Sequence, residues 1–153
     1  MKLTKDLREF IALLNDHDVE YVLIGGWAFG YHAVPRYTGD FDFFLRCDRD
    51  NARRIMKVLQ EFGMGEMPGF EKDFLQPGTI IQFGMSPNRI DILTEIDGVS
   101  FEEVWDTRVT GLVDDVEVPL ISRESLIKNK IASARPKDLA DVDALRKMEK
   151  GDG

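Results

Sequence analysis

Cysteine is nearly missing from this chain of 153 residues: Cys47 stands alone. An internal disulfide and a multi-cysteine metal site are thereby excluded, and a lone thiol of this kind is expected to pack as a small core residue. No apolar run approaches the ~20 residues that a membrane-spanning helix needs. The opening Met1-Lys2-Leu3-Thr4-Lys5-Asp6 leads into a charged amphipathic stretch without a signal-peptide core, so a cytoplasmic location is expected. Positive charge is also scarce, with 20 lysines and arginines against 28 acids and a net charge of −8. Broad electrostatic binding of a polynucleotide needs clustered positive charge, and this balance argues against it while leaving room for a local basic pocket. Repeats, low-complexity tracts and Pro/Gly/Ser-rich linkers are missing too. One domain over residues 1–150 is the expectation, with Gly151-Asp152-Gly153 as a frayed tail.

What is present is a series of short periodic segments. Leu7, Phe10, Ile11 and Leu14 make one face of a helix over Thr4 to Asn15. Tyr21 to Ile24 is a continuous apolar run, read as a strand buried on both faces, and a helix follows over Trp27 to Ala33, ended by Pro35. A second strand spans Asp40 to Arg46. Period two puts Asp40, Asp42 and Phe44 on one face and Phe41, Phe43 and Leu45 on the other. An amphipathic helix over Asp50 to Phe62 is closed by Gly63 and Gly65. Thr79 to Phe83 and Arg89 to Leu93 form a hairpin, and Phe101 to Asp106 a short helix. Val116 to Leu120 is a strand or extended arm. Ser122 caps a helix running to about Ala134, and Pro136 opens a last helix ending near Met148. Helices interleaved with strands, some paired by a hairpin, predict a mixed α/β or α+β domain with a helical C-terminal end.

Three features converge on one kind of chemistry. Gly25-Gly26 ends a buried strand directly before a helix, where glycine lets a backbone approach a phosphate and the helix N-terminus offers free N–H groups. Taken alone, such a pair serves the geometry of the turn. It is neither a Walker loop, since Tyr31-His32 follows Gly30 in place of Lys-Ser/Thr, nor the G-x-G-x-x-G of dinucleotide sites. Asp40 and Asp42 project the same way with α-carbons ~6.5–7 Å apart. Most D-x-D pairs lie on solvated faces, but this one is embedded among Phe41, Phe43, Phe44 and Leu45, where a carboxylate needs a cation. Asp91 again interrupts an apolar strand, either as an edge-strand charge or a partner for Arg89, or as a third acid. If its strand lies beside Asp40–Arg46, three carboxylates meet. Oxygen ligands of this type suit Mg²⁺ or Mn²⁺, and such clusters bridge two cations ~3.5–4 Å apart in phosphoryl chemistry.

Val22-Leu23-Ile24-Gly25-Gly26-Trp27-Ala28, Arg36-Tyr37-Thr38-Gly39-Asp40-Phe41-Asp42 and Arg89-Ile90-Asp91-Ile92-Leu93 together resemble the nucleotidyltransferase superfamily with the DNA polymerase beta-like fold. Its pattern is a Gly-Gly or Gly-Ser turn, a D-x-D preceded by R-x-T, and a third acid on a later strand. Ile121 to Lys130 and Ala134 to Asp141 are similar to the end of small bacterial members, among them relatives of the AbiEii-type abortive-infection toxins. The resemblance covers roughly residues 20–145 and implies an α+β fold, a mixed sheet flanked by helices, with its core over about 20–120 and C-terminal helices over about 122–148. It also implies transfer of a nucleoside monophosphate from an NTP to a hydroxyl, with release of pyrophosphate and Mg²⁺ or Mn²⁺ as cofactor.

By the same resemblance, Gly25 and Gly26 cradle phosphates, and Asp40 and Asp42 ligate metal. Asp91 holds one metal and helps to deprotonate the acceptor. Arg36 and Thr38 lie on the nucleotide side, although Arg36 read by itself serves equally to bond a phosphate or to pair with Asp40. Lys130 points to the triphosphate with Asp138 nearby, and Lys128 is its alternative, because lysines two apart on a helix do not share a face. The sequence departs from the pattern at Gly26, where serine is common. A chain of 153 residues leaves little room for an added acceptor domain, so a partner protein or a homodimer is expected to complete the site. Two further readings stand beside the enzyme: a binding module that has lost transfer, and the toxin of a two-gene system. His17 reads as a solvated turn residue, His32 as a hydrogen-bonded helix end, Trp27 as core, and Arg53 to Lys57 as a solvated helix face.

Overall fold

A computed structural model describes residues 2–64 and 70–151. The chain opens with α1 (Lys5–Asp16), capped by the Thr4 hydroxyl, which accepts from the Leu7 N–H; Leu7, Phe10, Ile11 and Leu14 are buried as their spacing requires. β1 (Tyr21–Ile24) is buried at all four positions because it is central, antiparallel to β2 (Asp40–Leu45) and parallel to β6 (Val116–Leu120). Between β1 and β2 lies α2 (Gly25–His32), which starts two residues before the expected Trp27. β3 (Ile80–Phe83) and β4 (Arg89–Leu93) are the antiparallel hairpin, and β4 runs parallel to β2. The six-stranded mixed sheet has the order β3-β4-β2-β1-β6-β5.

The strand β5 (Val109–Val113) is not anticipated by the sequence, because Thr110-Gly111 breaks any alternation. Gly111 sits there for a steric reason: a Cβ would come 2.7 Å from the ring of Tyr31, which crosses the strand at that point. β5 pairs with β6 through a tight turn in which Asp114 and Asp115 both take positive φ, 49° and 67°, as a two-residue hairpin loop of this hand demands. Helix α3 (Arg49–Leu59), capped by Asp48, runs into a π-helical turn over Gln60–Met64. Gly63, at φ 94°, marks its end, while Gly65 lies outside the described residues. A four-residue helix, α4 (Phe70–Asp73), is too short for any periodicity to announce it. α5 (Phe101–Asp106) and α6 (Arg123–Ser133) are capped by Ser100 and Ser122. α7 (Pro136–Gly151) extends three residues beyond Met148 and takes in Gly151, whereas Asp152 and Gly153 lie outside the described residues.

The alternation of β2 decides which helices lie on which face. Phe43 meets Phe10 of α1 edge-on at 5.3 Å, and Phe41 stacks on Trp27 of α2 at 4.5 Å. On the other face Phe44 meets Phe101 of α5 at 5.2 Å. Asp40 and Asp42 share that second face but lie towards its open end, where α6 and α7 pack on each other. Among the described residues no helix is long and apolar enough to cross a membrane.

Candidate functional site

The parallel register of β2 and β4 sets Asp40 opposite Arg89 and Asp42 opposite Asp91. Because side chains alternate along each strand, all four project from one face as the corners of a square. A carboxylate oxygen from each of Asp40, Asp42 and Asp91 lies within 4.8 Å of the others. Asp91 is only 5% exposed, and Arg89 clasps it, Nε to Oδ1 and Nη2 to Oδ2, both at 3.0 Å. The same Nη2 reaches Asp40 Oδ2 at 2.7 Å. These bonds, with Asp91 as the main cause, raise the pKa of Arg89. Asp91 is therefore at once a partner of Arg89 and a third acid.

One guanidinium does not balance three carboxylates. Burial first, then the charge of Asp40 and a hydrogen bond and the charge of Asp91, push Asp42 up from 3.8 to about 8, with Arg89 opposing. In the absence of a cation Asp42 thus keeps its proton at neutral pH. The donor set is all oxygen, anionic and within reach of one or two hard divalent ions, so the residues fit such a group.

Gly25 and Gly26 sit above this square. Gly25 has φ +71°, and a Cβ there would lie 2.1 Å from Asp42 Oδ2, so glycine is required twice over. Ile24, the N-cap of α2, offers no side-chain hydrogen bond, which leaves the first N–H groups of the helix for a ligand. A Cβ at Gly26 would meet Thr38 Oγ1 at 3.0 Å. The threonine hydroxyl occupies the space that a serine at position 26 would take, which gives a physical reason for the departure at Gly26. Thr38 Oγ1 lies 2.9 Å from the Asp40 carbonyl and 3.2 Å from Asp40 Oδ1.

The two lysines of α6 separate cleanly. Lys130 is buried and donates to Asp141 at 2.8 Å, with Asp138 3.8 Å away. Lys128 is exposed and lies 3.5 Å from Glu103, directed away from the acids. Arg36 does not pair with Asp40. Its guanidinium forks onto Asp141 at 2.8 and 3.0 Å and lies 4.0 Å over the ring of Phe29. Arg135 donates to Asp138 at 2.8 Å. Burial pushes both α7 carboxyls up, but Arg36 and Lys130 at Asp141, and Arg135 and Lys130 at Asp138, outweigh it and hold both below the ordinary carboxylate range. Asp141 and Arg135 are the site residues to which sequence reasoning gave no role, and Arg89 was read only as a partner of Asp91. Asp141 was within reach, standing one helical turn after Asp138.

Two clefts meet at Asp40 and Asp42, and Gly25, Lys130, Arg135 and Asp138 also line both. One, of about 370 Å³, extends past Gly26, Thr38, Tyr37, Arg36 and Lys137, and is the more basic of the two, with four cations, Arg36, Lys130, Arg135 and Lys137, in its wall. The other, of about 620 Å³, extends past Ile80, Leu93, Glu95, Asp97, Asn129 and Ser133. The histidines stand apart. His17 pairs with Glu61 at 2.9 Å, and His32 binds the Ile121 carbonyl at 2.7 Å, its pKa lowered by burial. Trp27 is 8% exposed and belongs to the core, and Cys47 is half-buried.

A family model described as nucleotidyl transferase AbiEii toxin, Type IV TA system, matches residues 8–153. No curated protein matches the sequence. Among solved structures, lincosamide antibiotic adenylyltransferase LnuA bound to lincomycin is similar at 16% identity and a TM-score of 0.56, over 96% of this chain and 98% of that one. ANT(2")-Ia in complex with adenylyl-2"-tobramycin is similar at 13% identity and a TM-score of 0.57, over 94% and 90%. A solution structure of ANT(2'')-Ia is similar at 13% identity and 0.59, over 97% and 83%. At these identities the likeness is one of fold.

Proposed function

The chain belongs to the AbiEii family of nucleotidyl transferase toxins, and from that premise we propose that it moves a nucleoside monophosphate from an NTP to a hydroxyl-bearing acceptor. The observation that carries this reading is the set of three carboxylates on one sheet face beneath a glycine turn, two of which, Asp40 and Asp42, line both clefts. The basic cleft takes the nucleotide. The free N–H groups at the start of α2 bond its phosphates, and the Lys130 ammonium faces the triphosphate from the opposite wall. The larger cleft takes the acceptor, so that donor and acceptor approach the acids from two sides.

Asp40, Asp42 and Asp91 would hold Mg²⁺ or Mn²⁺. That cation, when bound, supplies neutralisation of the phosphate charge and of the departing pyrophosphate. Asp91 takes the proton of the acceptor hydroxyl as its oxygen bonds the α-phosphorus and the bond to pyrophosphate breaks. The similar solved structures carry lincomycin and an adenylylated tobramycin. For this chain the acceptor class extends to a small molecule, RNA or protein, and in the toxin role its activity would be opposed by an antitoxin.

The test is transfer of label from an α-³²P-labelled NTP by purified protein, to itself and to extracts of small molecules, RNA and protein. Wild type is expected to label an acceptor. Asp42→Ala is expected to fold and to label nothing. Labelling by the Asp42→Ala protein at the wild-type rate would sink the assignment.

A further inference from the structure

We infer that Arg89 is a positioning residue that stands in for a divalent cation between Asp40 and Asp91 and makes metal binding conditional on nucleotide. This rests on the reading of the three acids as a metal site. One nitrogen, Nη2, bonds Oδ2 of both Asp40 and Asp91, at 2.7 and 3.0 Å. A single cationic centre linking oxygens of two carboxylates makes the connection that a bridging ion makes. Nε adds a third bond to the other oxygen of Asp91 at 3.0 Å. The fourth corner of the square is therefore filled by the protein's own cation.

The strand register makes this arrangement obligatory rather than incidental. Arg89 is opposite Asp40 and two residues before Asp91, so its side chain leaves the sheet on the same face, between them. It is the most open member of the cluster: its side chain is 38% exposed, that of Asp40 31% and that of Asp91 7%. Arg89 can swing outward, and the buried Asp91 cannot. An ion arriving alone must displace a forked, charge-assisted pair and offers only its water ligands in exchange. An ion arriving on a triphosphate brings phosphate oxygens into its own coordination shell, and leaves the displaced guanidinium an anion to face. The two ligands are thus coupled, and the coupling is reciprocal.

The experiment is titration of Mn²⁺, followed by electron paramagnetic resonance, into full-length wild type, Arg89→Gln, Arg89→Lys and Asp42→Asn. Each is measured alone and with a non-hydrolysable NTP. Arg89→Gln is expected to bind Mn²⁺ alone roughly tenfold tighter than wild type, about the scale of one charge-assisted bond, and to lose most of the enhancement that nucleotide gives wild type. Arg89→Lys, which keeps charge but cannot fork, is expected in between and carries the test if Arg89→Gln does not fold. Mn²⁺ affinity in the Arg89 variants equal to or weaker than wild type overturns the proposal. Asp42→Asn separates the two readings. If it loses Mn²⁺ while the Arg89 variants match wild type, only the role of Arg89 fails. If it binds Mn²⁺ like wild type, the acids are not the metal site and both readings fail.

Discussion

The Cα of Gly25 and the carboxylate of Asp42 share one small volume: a Cβ on residue 25 would lie 2.1 Å from Asp42 Oδ2. The glycine turn and the acid beneath it, which line both clefts, are therefore a single packed unit. Alanine at 25 must overcome both the left-handed backbone, which costs about 1–3 kcal/mol for a residue with a Cβ, and the displacement of Asp42. Gly25→Ala is expected to lower unfolding free energy by at least about 1 kcal/mol in urea and to depress transfer by about a hundredfold or more, since misplacing a reacting group by ~1 Å costs that much.

The carboxyl of Asp42 gives stability a definite pH dependence. Its pKa rises from 3.8 to about 8 on folding without a cation. Between those values the folded protein holds a proton that the unfolded chain has lost, so stability falls as pH rises. The contribution is complete below pH 3.8, declines towards about 8, and is gone above it. Thermal melts in EDTA from pH 5 to 9 should show this decline, and Asp42→Asn should flatten it. Mg²⁺ should restore stability most at the alkaline end, where no proton has to be displaced.

The lysines of α6 predict a contrast. Lys130→Met removes a buried ammonium from Asp138 and Asp141 and is expected to weaken NTP binding tenfold or more, with about 1–3 kcal/mol of lost stability. Arg36 and Arg135 remain on those acids and hold the loss to that range. Lys128→Met is expected to bind NTP like wild type. Calorimetric titration of both variants decides; equal losses would contradict the placement of Lys130.

Gly26 and Thr38 should be coupled. Ser at 26 crowds the Thr38 hydroxyl, 3.0 Å from the position of the new Cβ. Gly26→Ser alone is expected to destabilise by about 1 kcal/mol, the low end of overpacking. In the Thr38→Ala background the same change should cost less and its hydroxyl should take over the vacated space. A double-mutant cycle on stability and NTP affinity measures this directly.

The sequence displays some of this plainly and hides the rest for identifiable reasons. Phe10, Ile11 and Leu14 announce α1, and alternation alone separates Asp40 and Asp42 from Phe41 and Phe43. The meeting of Asp91 with those acids needs β4 beside β2, a long-range pairing that period two cannot supply. β5 is hidden because Gly111 answers to the ring of Tyr31, eighty residues earlier. Arg36 offers two local partners on paper, phosphate and Asp40, and takes a third, Asp141, from the last helix. Lys128 and Lys130 are indistinguishable by type and spacing; only the packing of α6 on α7 buries one of them.

The clamp of Asp141 on Arg36 spans 105 positions, and this has a consequence for synthesis. A ribosome that has emitted the chain through β4 has already released Gly25, Asp40, Asp42 and Asp91, but neither Lys130 nor the carboxylates of α7. A nascent chain at that stage carries the acids without the cationic wall that faces them. The wall formed by Lys130, Arg135, Lys137 and Asp138 is present only once α6 and the first turn of α7 have emerged, and the bond from Arg36 to Asp141 forms last.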